Sequence, residues 1–152
     1  MEGIVMNRIS KRINRAASKG FTLLELLVVL LIIALLAGYV GPKLFAQVDK
    51  AKVKTAQAQM KTLGDALTQY RLDVGGYPTQ DQGLDALVKA PQGVGSDWHG
   101  PYLAKHVPVD PWGHPYKFEN PGRNGDEADI VSLGKDGREG GSGDNADIVY
   151  GI

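Results

Sequence analysis

The stretch Lys19 to Val40, KGFTLLELLVVLLIIALLAGYV, constrains this chain more than any other. A basic segment leads into it, a Gly20-Phe21 step opens it, and the twenty residues from Phe21 to Val40 hold one charge, Glu25. Leu26 to Ala37 is apolar without a break. In a helix, at about 1.5 Å per residue, such a run reaches roughly 30 Å, the thickness of a bilayer's hydrocarbon core. The spacing predicts a membrane helix. A cleaved secretory signal starts in the same way, but Ala34-Leu35-Leu36-Ala37 lacks the small-x-small spacing that ends one, and a chain without cysteine has no lipoprotein attachment point.

Glu25 lies in the first turns of that helix, where an ionised side chain costs up to ~3 kcal/mol at mid-membrane and less near an end. A cut between Gly20 and Phe21 would create an α-amino cation about 6 Å of helical rise away. A second molecule displaced along the axis could set its amine directly against the carboxylate. Helix physics leaves two readings open: Glu25 neutralises a neighbour's N-terminus and so steers assembly, or it snorkels to the interface or is protonated.

Lys19-Gly20-Phe21-Thr22-Leu23-Leu24-Glu25 resembles the class III signal of type IV pilins and type II secretion pseudopilins. The resemblance implies that a prepilin peptidase cuts after Gly20 and methylates the new amine of Phe21. It implies that Glu25 takes part in assembly. The leader, residues 1–20, is longer than is common in that group, and Met6 offers a later start.

Of 152 residues, 132 remain after such a cut, enough for one membrane segment and one small domain. The expected organisation is a basic leader over 1–20, a transmembrane and assembly helix over 21–42, and a periplasmic domain over 43–152. The formal net charge of zero conceals an asymmetry, because residues 1–20 carry Arg8, Lys11, Arg12, Arg15 and Lys19 against Glu2 alone. By the positive-inside rule the leader stays cytoplasmic and the C-terminal part crosses the inner membrane. The mature part is acidic, a poor match for nucleic acid. With no cysteine the domain holds together without disulfides, so another staple would help it.

After Gly41-Pro42, where the proline predicts a kink or a loosening, Val53, Ala56, Met60, Leu63, Leu67, Tyr70 and Val74 recur at three- and four-residue steps. This is an amphipathic half continuing the membrane half, one helix from Phe21 to about Leu72, ended by Gly75-Gly76. A short helix is expected near Leu84 to Lys89, closed by Pro91. Asp110-Pro111-Trp112-Gly113 reads as a tight turn, with Trp112 and Tyr116 as core covers. Strands are expected at Tyr116–Glu119, Asp129–Leu133 and Asp147–Gly151. The fold class is α+β: a long N-terminal helix packed on a small three-stranded antiparallel sheet.

The stretch Leu133 to Asp147, LGKDGREGGSGDNAD, holds four carboxylates among glycines. Calcium takes six to eight oxygens, and glycines let a short loop turn carbonyls inward, but composition alone fits a solvated turn as well. The spacing is not that of an EF-hand. Gly100-Pro101-Tyr102-Leu103, Asp110-Pro111-Trp112-Gly113, Ser132-Leu133-Gly134-x-Asp136-Gly137 and Gly140-Gly141-x-Gly143 through Ala146-Asp147-Ile148 resemble the major pseudopilins of the type II secretion system. That resemblance implies calcium in this loop, with side chains of Asp136 and Asp144 as main ligands and Leu133, Ser142 and Asp147 as weaker candidates that could act through backbone oxygens.

No nucleophile and base stand together, and His99, His106 and His114 lack close zinc-ligand spacing. The expectation is a structural protein and no enzyme: a subunit that polymerises with itself into a periplasmic pseudopilus supporting export of folded proteins. The resemblance implies as partners the prepilin peptidase, minor pseudopilins, the inner-membrane assembly platform and the membrane itself. The alternatives are a type IV pilin of a surface fibre, which commonly carries a disulfide that this chain cannot form, and a solitary membrane-tethered calcium-binding domain.

Overall fold

The computed structural model describes residues 20–152; the expected leader, apart from Gly20, lies outside the described residues. The chain divides into two compact units, one ending at Val40 and the other running from Gly41 to Ile152.

Helix α1 spans Leu23–Val74, two residues past the expected end, and passes through Pro42 without a break in its assignment. The proline removes one backbone donor and crowds the residue before it, and Gly41, lacking a Cβ, relieves part of that crowding. The helix ends at Gly75, whose N–H donates to the Arg71 carbonyl at 2.8 Å. In the first unit the large apolar side chains of α1 are at least 45% exposed, and the helix is long and apolar enough to cross a membrane.

In the second unit the seam expected from periodicity is the core: Met60, Leu63 and Leu67 are fully buried and Tyr70 nearly so. They pack with Leu84, Leu87, Phe118 and Ile130 in one apolar cluster. Three short strands, β1 (Lys117–Glu119), β2 (Asp129–Ser132) and β3 (Ile148–Gly151), form an antiparallel sheet in that order. Phe118 lies opposite Ile130, and Ile130 opposite Tyr150, so one face of the sheet meets the helix seam. As the central strand, β2 is buried at all four residues.

The strand limits move by one residue from those expected. The helix expected at Leu84 to Lys89 is instead a single 3-10 turn, Leu84–Leu87, closed by Val88 N–H on the Asp85 carbonyl and ended before Pro91. With no side-chain cap and four residues, it falls short of what α-helix nucleation needs. Tyr116 is buried as expected of a core cover, whereas Trp112 is half-buried; Tyr102 packs edge-on against both Tyr70 and Trp98.

Gly64 sets the spacing between helix and sheet. A Cβ there would lie 2.7 Å from Cε1 of Tyr150 on β3, so the tyrosine ring packs closer than a side chain at this position permits. Gly64→Leu is therefore expected to cost about 2 kcal/mol even after the gain in helix propensity. Urea denaturation of residues 43–152 measures this, and a variant as stable as the parent would contradict the close packing.

Candidate functional site

Two segments carry the expected functional residues. In the first, Gly20, Phe21 and Thr22 precede the helix and are solvent-exposed. Thr22 is the N-cap. Its Oγ1 accepts the Glu25 N–H at 3.2 Å, and its own N–H donates to Glu25 Oε2 at 3.1 Å. This is a reciprocal capping box, and the positive end of the helix dipole adds to it. Glu25 is thus bonded within its own chain through one oxygen, while Oε1 has no partner among the described residues. The signal was present in sequence as Thr-x-x-Glu, but the membrane cost of the carboxylate drew the reading toward an external partner.

The second segment is the Gly/Asp loop between β2 and β3. Its two limbs are stitched together: Lys135 N–H donates to the Asp144 carbonyl at 3.1 Å, and Asp147 N–H to the Gly140 carbonyl at 3.1 Å. Gly140 N–H in turn donates to Asp147 Oδ2 at 3.0 Å. The approach is close enough to require glycine at Gly141, where a Cβ would fall 2.3 Å from the Asn145 carbonyl and φ is +84.

Of the expected ligands, Leu133 is buried at the base of the loop, whereas Asp136, Ser142 and Asp144 are exposed and Asp147 half-buried. Asp136 Oδ1 accepts the Arg138 N–H at 3.1 Å, and the Ser142 carbonyl accepts the Asn145 N–H at 3.2 Å. Among the described residues no three His, Cys, Asp or Glu side chains converge, so any metal here depends on carbonyls as well as carboxylates. One atom points to such a ligand: Asp147 Oδ1 is buried without a hydrogen-bond partner. An orphaned buried carboxylate oxygen is one donor of the kind that a hard cation takes, and among the described residues no group of three carboxylates converges around it.

Supports for this loop come from residues the sequence reading passed over. Buried Asp110 accepts the N–H groups of Trp112 (3.1 Å) and His114 (2.8 Å) on Oδ1 and the hydroxyl of Ser132 (2.7 Å) on Oδ2. That ties the tight turn to the end of β2. His114 Nδ1 lies 3.1 Å from the Gly134 carbonyl, which can only accept, so Nδ1 carries the proton. Lys135 pairs with Asp49 on α1 at 3.0 Å, and Lys117 with Glu139 at 2.7 Å. The Lys117 hydrogen bond holds the Glu139 carboxyl below its usual range, and burial, helped by the Asp110 charge, pushes the Tyr116 hydroxyl well above its own. His99 and His106 are exposed.

An exposed Gly-Phe step, a capped apolar helix and an α+β unit on the same helix are the features of the pilin-like class. Residues 15–40 match the family described as a prokaryotic N-terminal methylation motif, and residues 43–151 match the one described as Type II secretion system (T2SS), protein G. Type II secretion system core protein G of Pseudomonas aeruginosa is 44% identical over 89% of this chain and 96% of its own length. The protein of the same name in Vibrio cholerae is 44% identical over 85% of this chain and 88% of its own. The crystal structure of the major pseudopilin from the type 2 secretion system of enterohaemorrhagic Escherichia coli superimposes with a TM-score of 0.59 at 36% identity, covering 71% of this chain and 93% of that one. The chain belongs to the type II secretion protein G family, and so to the pseudopilins, structural subunits of type II secretion.

Proposed function

We propose that the mature chain is held in the inner membrane by residues 21–42, with residues 43–152 in the periplasm, and leaves the membrane by polymerising through α1 into a pseudopilus. Prepilin peptidase removes residues 1–20 and methylates Phe21. The inner-membrane assembly platform and minor pseudopilins are the partners of growth, and the fibre supports export of folded proteins across the outer membrane. The chain's part in this is mechanical and not catalytic.

The observation that carries this reading is the exposed apolar face of α1 behind a capped Glu25. Such a face is buried equally well in lipid or against copies of itself. Glu25 Oε2 serves the chain's own cap while Oε1 is free for the amine of a neighbour, so one carboxylate can bond in both states. Glu25→Ala should leave membrane insertion intact and lower the yield of sheared fibres by about tenfold or more, the scale of a lost charge-assisted bond. Fibres at the parent's level would contradict the role given to Glu25.

The loop reading rests on Asp147 Oδ1. Asp136, Asp144 and Asp147 would hold calcium through carboxylate oxygens, and Leu133 and Ser142 through carbonyls. Bound there, the ion neutralises the loop's carboxylates and joins its limbs, in place of the disulfide that a chain without cysteine lacks. At a hundred times the dissociation constant, the ion would add about 2.7 kcal/mol to the stability of the domain. The melting temperature of residues 43–152 should therefore rise by several degrees on passing from chelator to calcium, and Asp136→Ala with Asp144→Ala should abolish the rise. A melting temperature indifferent to calcium in the parent would contradict the assignment.

A further inference from the structure

In the second unit a groove of about 440 Å³ runs between the segment Gln80–Asp85 and the segment Val107–Phe118. Its lining mixes apolar side chains, Leu84, Pro115, Tyr116 and Phe118 among them, with polar groups that include Asp81 and Asp85. Both aspartates are exposed, and among the described residues neither carboxylate has a hydrogen bond or ion pair; Asp85 is engaged only through its carbonyl, and Lys89, one turn on, does not pair with it. A groove whose lining offers both apolar side chains and unpaired carboxylates fits a lysine, whose four-carbon stem packs on apolar surface while its ammonium meets the charge.

Lysines of that description stand on α1. Lys50 and Lys54 are exposed and one turn apart, on the face turned away from the Met60–Leu63–Leu67 seam. Among the described residues neither has an acidic partner, whereas Lys61, further along the same face, is paired with Asp65 at 3.0 Å. The chain thus presents an unpaired cationic face and an unpaired anionic groove that do not meet within one molecule. Two different patches that complement each other give a heterologous, head-to-tail contact, the kind that continues into an open helical array.

We propose that the groove of one subunit receives Lys50 and Lys54 of another copy of this chain, and that this contact guides addition of subunits to the fibre. The inference rests on the fibre reading and names the surfaces that would set its order. The opposed charges add little to intrinsic affinity but steer encounter and fix register.

The test is a charge exchange in the full-length chain, with sheared-fibre yield as readout. Asp81→Lys with Asp85→Lys, and separately Lys50→Glu with Lys54→Glu, should each lower the yield about tenfold, and the four changes together should bring it back to within about threefold of the parent. Because the chain has no cysteine of its own, a second readout is free of background: Asp85→Cys co-expressed with Lys54→Cys should give a disulfide-linked dimer within fibres. Either reversal assembling at the parent's level, a four-fold variant no better than its parts, or fibres in which the cysteine pair does not link would overturn the contact. A parent chain that forms no fibre contradicts the fibre reading itself, and this contact with it.

Discussion

The rest of the structure depends on an apolar helical surface that its own chain does not cover. Large side chains from Phe21 to Val40 are between 45% and 87% exposed. At about 25 cal/mol per Å² of apolar area, leaving such a surface in water would cost more than a domain of this size has in net stability. Lipid or copies of the same helix must therefore cover it. The Thr22–Glu25 cap answers to the same demand by closing the N-terminal end of the helix.

The second unit uses the same helix differently. Its seam from Ala56 to Tyr70 is the spine on which three short strands can form a stable sheet, which they could not do alone. Gly64 lets the Tyr150 ring of β3 pack close, and the network from Asp110 through Ser132 fixes the end of β2 and the base of the Gly/Asp loop. That loop is then held on three sides by His114, Lys117 and Lys135, so its carboxylates project from a fixed frame. Under the calcium proposal, a loop held in this way would have little further entropy to lose on binding.

Sequence revealed what periodicity and local chemistry encode. The helix was legible because apolar residues repeat at helical steps from Met60 to Tyr70, and the strands because Phe118, Ile130, Val131 and Val149 lie between turn residues. Leu84 to Lys89 misled because its apolar spacing suits a helix, while length and the missing cap permit one 3-10 turn. The capping box was spelled in four letters and eclipsed by a larger energy, the cost of charge in lipid. Asp110 and His114 could not be found at all by local reading: Asp110 meets Ser132 across 22 positions and His114 meets Gly134 across 20, partnerships that only the folded chain creates. The buried side-chain oxygen of Asp147 that has no partner is likewise a product of the folded loop and not of local sequence.

The central claim is that the uncovered helix is made to be bundled with its copies once the residues before Phe21 are removed. It is tested most directly by imaging the chain purified from the cell envelope while weighing its N-terminus by mass spectrometry. Filaments of subunits that begin at a methylated Phe21 are the expected result. Single, dispersed chains that still carry the residues before Phe21 would contradict the account.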